Sequence, residues 1–139
     1  MQIESVLRAI LVANSDVATI VGVTYDPDTL APKGGRVYQG QLPREPTFPA
    51  IVYQMISRPQ DGLTGIVQSR MQYTCMAGSW KAAAELADAV RCALHGHRGV
   101  RDGARIEYIQ YAGQHDDYDE TTGIHWIPVD MIVTYLEET

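Results

Sequence analysis

The chain has 139 residues, 45% of them hydrophobic and 20% charged, with a formal net charge of -6. One domain of this size buries roughly 70% of its unfolded surface without staples, and no apolar run approaches the ~18 residues a membrane span needs. Seventeen acidic residues against eleven Lys and Arg exclude a surface that wraps phosphates everywhere, although a local basic patch stays open.

The N-terminus lacks a basic stretch followed by an apolar block, so the expectation is a soluble, intracellular-type single domain over residues 1–139, without a secretory signal. Gln2 to Asn14 reads as an amphipathic helix, with Ile3, Val6, Leu7 and Ile10 on one stripe. Ser15-Asp16 offers a cap for a short turn, Val17 to Val21, closed by Gly22. Tyr25 to Gly35, with two prolines and a Gly pair, reads as a loop. Arg36 to Tyr38 resembles a brief strand, and the prolines of Gln39 to Pro49 predict an extended, irregular path.

Ala50 to Ser57 is a β-rich run, Arg58 to Gly65 a turn-rich connection, and Ile66 to Met76 alternates with Val67, Met71, Tyr73 and Cys75 on one face. These predict an antiparallel hairpin. Ser79 is a candidate N-cap for the longest helix, Trp80 to His95, stopped by Gly96. Ala83, Ala87, Val90 and Leu94 form its stripe, flanked by Trp80 and Leu86, while Cys92 faces away. His95 to Gly103 reads as a loop and Ala104 to Tyr111 as a strand, with Ile106 and Ile109 on opposite faces. Gly113 to Gly123 is a polar, acidic loop. Ile124 to Leu136 is a long strand, and Pro128 within it predicts an edge position or a bulge. The order α-β-β-β-α-β-β gives an α+β fold: a mostly antiparallel β-sheet with two main helices packed on one face.

Chemistry-bearing patterns are sparse. Cys75 and Cys92 lie on diverging surfaces and form no C-x-x-C, which favours reduced structural thiols. His115-Asp116-Asp117-Tyr118-Asp119-Glu120 offers four carboxylates and an imidazole, but without the ligand spacing of a calcium loop. His95 and His97 have no third ligand nearby, and Arg91, Arg98, Arg101 and Arg105 suit a helix C-terminus as well as an anion. No G-x-S-x-G, S-x-x-K, G-x-G-x-x-G or P-loop occurs. No catalytic residue, metal or cofactor is therefore expected. The Ala82, Ala89 and Ala93 flank of the long helix is a candidate subunit interface because small side chains permit close approach. Two loops are candidate partner contacts: Arg58, Gln60, Asp61 and Leu63 in one, Asp116, Asp117, Tyr118 and Asp119 in the other.

Several stretches together resemble the tail-completion (tail-terminator, head–tail joining) proteins of long-tailed bacteriophages and prophages. They are the opening I-E-S-V-L-R-A-I-L-V-A-N, the D-V-A-T-I-V-G turn and R-V-Y-Q-G. L-P-R-E-P-T-F-P-A-I-V-Y-Q-M-I-S, Q-Y-T-C-M-A-G-S-W-K-A-A-A-E-L-A-D-A-V-R-C-A-L-H-G and D-D-Y-D-E-T-T-G come after them. The resemblance implies a structural, non-enzymatic protein made in the bacterial host cytoplasm and carried in the virion, at the head-proximal end of the tail. It implies a ring, typically a hexamer, although isolated subunits can be monomeric. That ring caps the tail tube protein, docks a head-completion or neck protein, and passes DNA without specific binding. No membrane partner is implied. Seven acidic residues and no Lys or Arg between Gly113 and Thr139 would suit a lumen that does not hold DNA. The competing readings are another neck or head-completion protein of the same virion, a small enzyme or metal-binding protein using the acidic loop with His95 and His97, and an anion or nucleic-acid binder using the arginines from Arg91 to Arg105.

Overall fold

The computed structural model describes residues 2–137; Glu138, one of the seven acidic residues near the C-terminus, lies outside them. Helix α1 (Ile3–Ala13) buries the predicted stripe of Ile3, Val6, Leu7 and Ile10, and Leu11 and Val12 as well. Each large side chain removed from water contributes about 1.5–3 kcal/mol. Helix α2 (Ser15–Val21) begins after one residue. Its cap is Asn14, whose Oδ1 accepts from the N–H groups of Asp16 and Val17 at 3.0 and 3.1 Å, rather than Ser15 or Asp16. The longest helix, α3 (Trp80–Leu94), is capped as expected: Ser79 Oγ accepts from the Ala82 N–H at 3.2 Å. Among the described residues no helix is long and apolar enough to cross a membrane.

Strands β1 (Thr24–Tyr25) and β2 (Pro32–Lys33) form a two-stranded ribbon inside the segment expected to be only loop. The other strands are β3 (Val37–Gln39), β4 (Ala50–Ser57), β5 (Val67–Ala77), β6 (Gly99–Arg101), β7 (Ala104–Gln114), β8 (Asp117–Asp119) and β9 (Ile124–Glu137). They make one curled sheet in the order β3-β4-β5-β9-β7-β6, with β8 beside β9. All pairings in it are antiparallel except β3 with β4, which run parallel. The fold is α+β as expected, with a third short helix and a lone parallel pair added. The β4–β5 hairpin is present in the register Ala50↔Met76 to Gln54↔Gln72. All three helices lie on one side: α3 packs on β5, β7 and β9, and α1 and α2 pack on α3.

Two details depart from the alternation read in the sequence. A bulge between Ile106 and Tyr108 adds a residue to β7, so Ile106 and Ile109, an odd number apart, are both buried on the helix side. Strand β9 is central, not an edge. Pro128 pairs with Thr74 of β5, and on its other side lies the junction where β7 ends at Gln114 and β8 begins at Asp117. Proline in this central strand thus coincides with a break between its neighbouring strands on one side. Trp80 also departs from its predicted place beside the core, being 53% exposed.

One side chain ties the helical layer to the sheet edge. Arg36 donates from Nε to the Pro49 carbonyl at 2.7 Å and from Nη2 to the Ile20 carbonyl at 2.9 Å. Its backbone N–H donates to Val21 and its carbonyl accepts from Ile51. Gly22, left-handed at φ 74°, closes α2 beside it; a Cβ there would stand 2.6 Å from Arg36 Nη1.

Leu94 is fully buried under α3. Leu94→Asp forces an unpaired carboxylate into that core, at a cost of several kcal/mol. The expected outcome is loss of the cooperative thermal transition followed by circular dichroism; an unchanged melting curve would contradict the placement of α3.

Candidate functional site

The residues singled out in the sequence fall on separate surfaces. The acidic segment is not an open loop but β8 and the turn into β9. Its carboxylates serve that turn: Asp119 Oδ1 accepts from the Thr121 N–H at 2.9 Å, and Asp117 Oδ1 from the Tyr118 N–H at 2.8 Å. Asp116 Oδ2 accepts from the indole N–H of Trp80 at 3.0 Å, which fastens the hairpin to the start of α3. The Tyr118 and His125 rings lie 4.6 Å apart across the β8–β9 ladder. Among the described residues no group of three His, Cys, Asp or Glu converges as a metal site would require.

His95 is engaged by the backbone. Its Nδ1 accepts the Tyr111 N–H at 3.0 Å, and its ring stands edge-on to Tyr108 with centroids 5.8 Å apart. The four arginines separate into groups. Arg91 lies over the Tyr111 ring at 5.7 Å and Arg98 over Tyr108 at 5.2 Å. Arg101, in contrast, lines a shallow groove with Ser5 and Arg8 of α1.

The β4–β5 connection is ordered by short-range bonds. Asp61 Oδ1 accepts from the N–H groups of Leu63 and Thr64 at 2.8 and 3.4 Å, which holds its carboxyl below the usual carboxylate range. Gln60 bridges to Val67. Arg58 donates from Nε to the Tyr135 hydroxyl at 3.0 Å and pairs with Glu137. At the apex Leu63 is 98% exposed, an apolar side chain presented by a fixed turn.

The alanine flank is not the open stripe expected of it. Ala89 is only 9% exposed, on the floor of a groove between α2 and α3 that Asp16, Thr19 and Ile20 also line. Ala82 and Ala93 are half-buried against the core. The small side chains therefore allow α3 to approach its own neighbouring helices. Burial also pushes the Cys75 thiol far above its ordinary range, removing its nucleophilic form, and Cys92 is exposed and unpaired.

Sequence reasoning missed the helix-free face of the sheet. There Val52, Met76, Trp126 and Pro128 line a shallow pocket with Gln54, Gln72, Thr74, His115 and Asp117. Beside it Arg70 pairs with Asp130 at 2.7 Å, Gln72 donates to Asp130 at 3.3 Å, and Gln54 donates to Gln72 at 3.3 Å. The signal was available in the even-numbered positions of β5 and β9, which mix Met, Trp and Pro with polar residues.

The family model for tail completion protein gp17 matches residues 5–136. The chain belongs to that family. Among solved structures it is similar to a chain of the virion of a native gene transfer agent particle, at 17% identity and a TM-score of 0.67, covering 93% of this chain and 90% of that one. At that identity the likeness speaks for the fold. No curated protein matches the chain. The family match is continuous from α1 to β9 and so takes in both charged surfaces and the Leu63 turn of this tail-completion chain.

Ala89 is nearly buried at the floor of the α2–α3 groove, so the bulk of Ala89→Trp presses on the packing of the two helices. The expected cost is about 1–3 kcal/mol, seen as a lower midpoint in urea unfolding. An unchanged midpoint would instead mark Ala89 as free surface.

Proposed function

We propose that this tail-completion chain is a structural, non-enzymatic component that forms a ring, a hexamer in the virion, at the head-proximal end of the tail tube. In this reading it terminates tube growth and joins the tail to the head through a head-completion or neck protein. The observation that carries the reading is the family match over residues 5–136. Three features of the chain support it. His95, Asp117 and Asp119 accept backbone N–H groups, and Asp116, Asp130 and Glu137 are each held by a side chain of a different segment. The net charge of -6 suits a passage that DNA traverses without being held. The fixed Leu63 turn gives a rigid apolar projection for the tube or neck.

A ring needs two different surfaces on each subunit. The Arg58–Gly65 turn, with Arg58, Gln60, Asp61 and Leu63, is proposed as a contact with the tube or the neck. The hairpin carrying Asp116, Asp117, Tyr118 and Asp119 is a second contact surface. Across the alanine flank, only Ala82 and Ala93 remain half open for such a contact.

The test is removal of the gene from its phage or prophage, followed by electron microscopy. Over-length, unjoined tail tubes beside filled heads are expected, with normal particles restored by the gene in trans. Normal tails without the gene would sink the proposal. Leu63→Asp in the restoring copy is expected to leave the melting curve unchanged and to lower the yield of joined particles about tenfold, a loss of ~1.4 kcal/mol of contact.

A further inference from the structure

We propose that the arginine–tyrosine cluster beside the C-terminus of α3 is the docking site for the acidic β8–β9 hairpin of a second copy of this chain. The inference rests on the ring reading and gives that ring its subunit contact.

The cluster is built to present cations. Arg98 is laid over Tyr108 and Arg91 over Tyr111, while His95 fixes the same strand by accepting the Tyr111 N–H. A guanidinium stacked on a ring keeps its N–H edge free for a carboxylate, and holding it there reduces the ordering cost of pairing. Among the described residues Arg98 pairs with no carboxylate, and Arg91 has only the exposed Asp88 at 3.7 Å. The hairpin is the opposite case. Asp117 and Glu120 are exposed and pair with no cation among the described residues. Among the described residues strand β8 has β9 on one side and no strand on the other, and the half-exposed Tyr118 and Trp80 beside it supply apolar contact area.

These two sets of charges do not meet within one subunit. Tyr111 is paired with Met131 and Tyr108 with Thr134, whereas Asp117 is paired with Trp126. The offset along β9 is five to eight residues, about 16–26 Å at the rise of a strand. That exceeds the Debye length of about 8 Å at physiological salt, so each charged set is screened from the other. A second copy brings them together. Cluster of one copy against hairpin of the next is a heterologous contact, the kind that propagates around a ring. The complementary sign selects this occupant over a like-charged partner and makes the contact salt-sensitive.

The experiment is sedimentation velocity of the full-length protein over a concentration series at low and high salt. Four proteins are compared: the parent, Arg91→Glu with Arg98→Glu, Asp117→Arg with Glu120→Arg, and the combined fourfold reversal. Melting curves of all four serve as the folding control. The parent is expected to associate at low salt and dissociate at high salt. Each paired reversal is expected to weaken association at least about tenfold, and the fourfold reversal to recover it. Association unaffected by either reversal, a fourfold reversal that does not recover, or a parent that stays monomeric throughout would overturn the contact. Salt-sensitive binding of labelled duplex DNA, abolished by the arginine reversals in a chain that does not self-associate, would overturn it too and assign the cluster to nucleic acid. The tail-length assay is read independently, so capped tails with no effect of the reversals leave the capping role standing and remove only this contact.

Discussion

Eleven consecutive residue pairs join β5 to β9, from Val67↔Tyr135 to Ala77↔His125. That register places Val67, Met71, Tyr73 and Cys75 beside Val129, Met131, Val133 and Tyr135 on one buried face. A slip of one residue would turn the whole buried set of one of the two strands to the opposite face. Helix α3 docks on this platform, α1 and α2 dock on α3, and β4 and β7 extend it on either side. The surfaces proposed for partners are the Arg58–Gly65 turn, the β8–β9 hairpin and the flank and C-terminal cluster of α3.

The elements legible in the sequence are those whose pattern runs long enough to be decided by burial. Helices α1 and α3, the β4–β5 hairpin and β9 each carry a stripe or alternation over at least eight residues. Apart from β3, foreseen over Arg36 to Tyr38, the short strands escape because two or three residues have no period. Strands β1, β2, β6 and β8 exist through pairing with a neighbour, and their positions depend on chain geometry. The bulge in β7 hides itself in another way: an inserted residue inverts the parity of the rest of the strand, so simple alternation puts Ile109 on the wrong face. Pro128 misleads because its cost depends on what the adjacent strand does at that level, and the β7–β8 junction is invisible in the residues around the proline.

The candidate surfaces are legible as composition but not as geometry. The carboxylates of residues 116 to 120 and the arginines of residues 91 to 105 stand out in the sequence, and the structure shows what each one touches. Asp116 is tied to Trp80, whereas Asp117 and Glu120 are not tied to any cation among the described residues. Arg101 departs toward α1, leaving Arg91 and Arg98 with their tyrosines. The alanine flank looks available in the sequence because helical periodicity reports which side of a helix faces the core, not which other helices crowd its shoulder.

The Arg36 anchorage has a mechanical meaning. The proline-rich segment from residues 40 to 49 bridges the parallel strands β3 and β4, and its last carbonyl is gripped by the same guanidinium that grips the end of α2. A pull on that segment is thus shared between sheet edge and helical layer through one planar cation, instead of peeling β3 away alone. Strand β3 has three paired residues on β4, and Arg8 Nε also donates to its Val37 carbonyl at 3.3 Å. In the proposed ring, the Arg36 anchorage holds a three-residue edge strand in place against the passage of DNA.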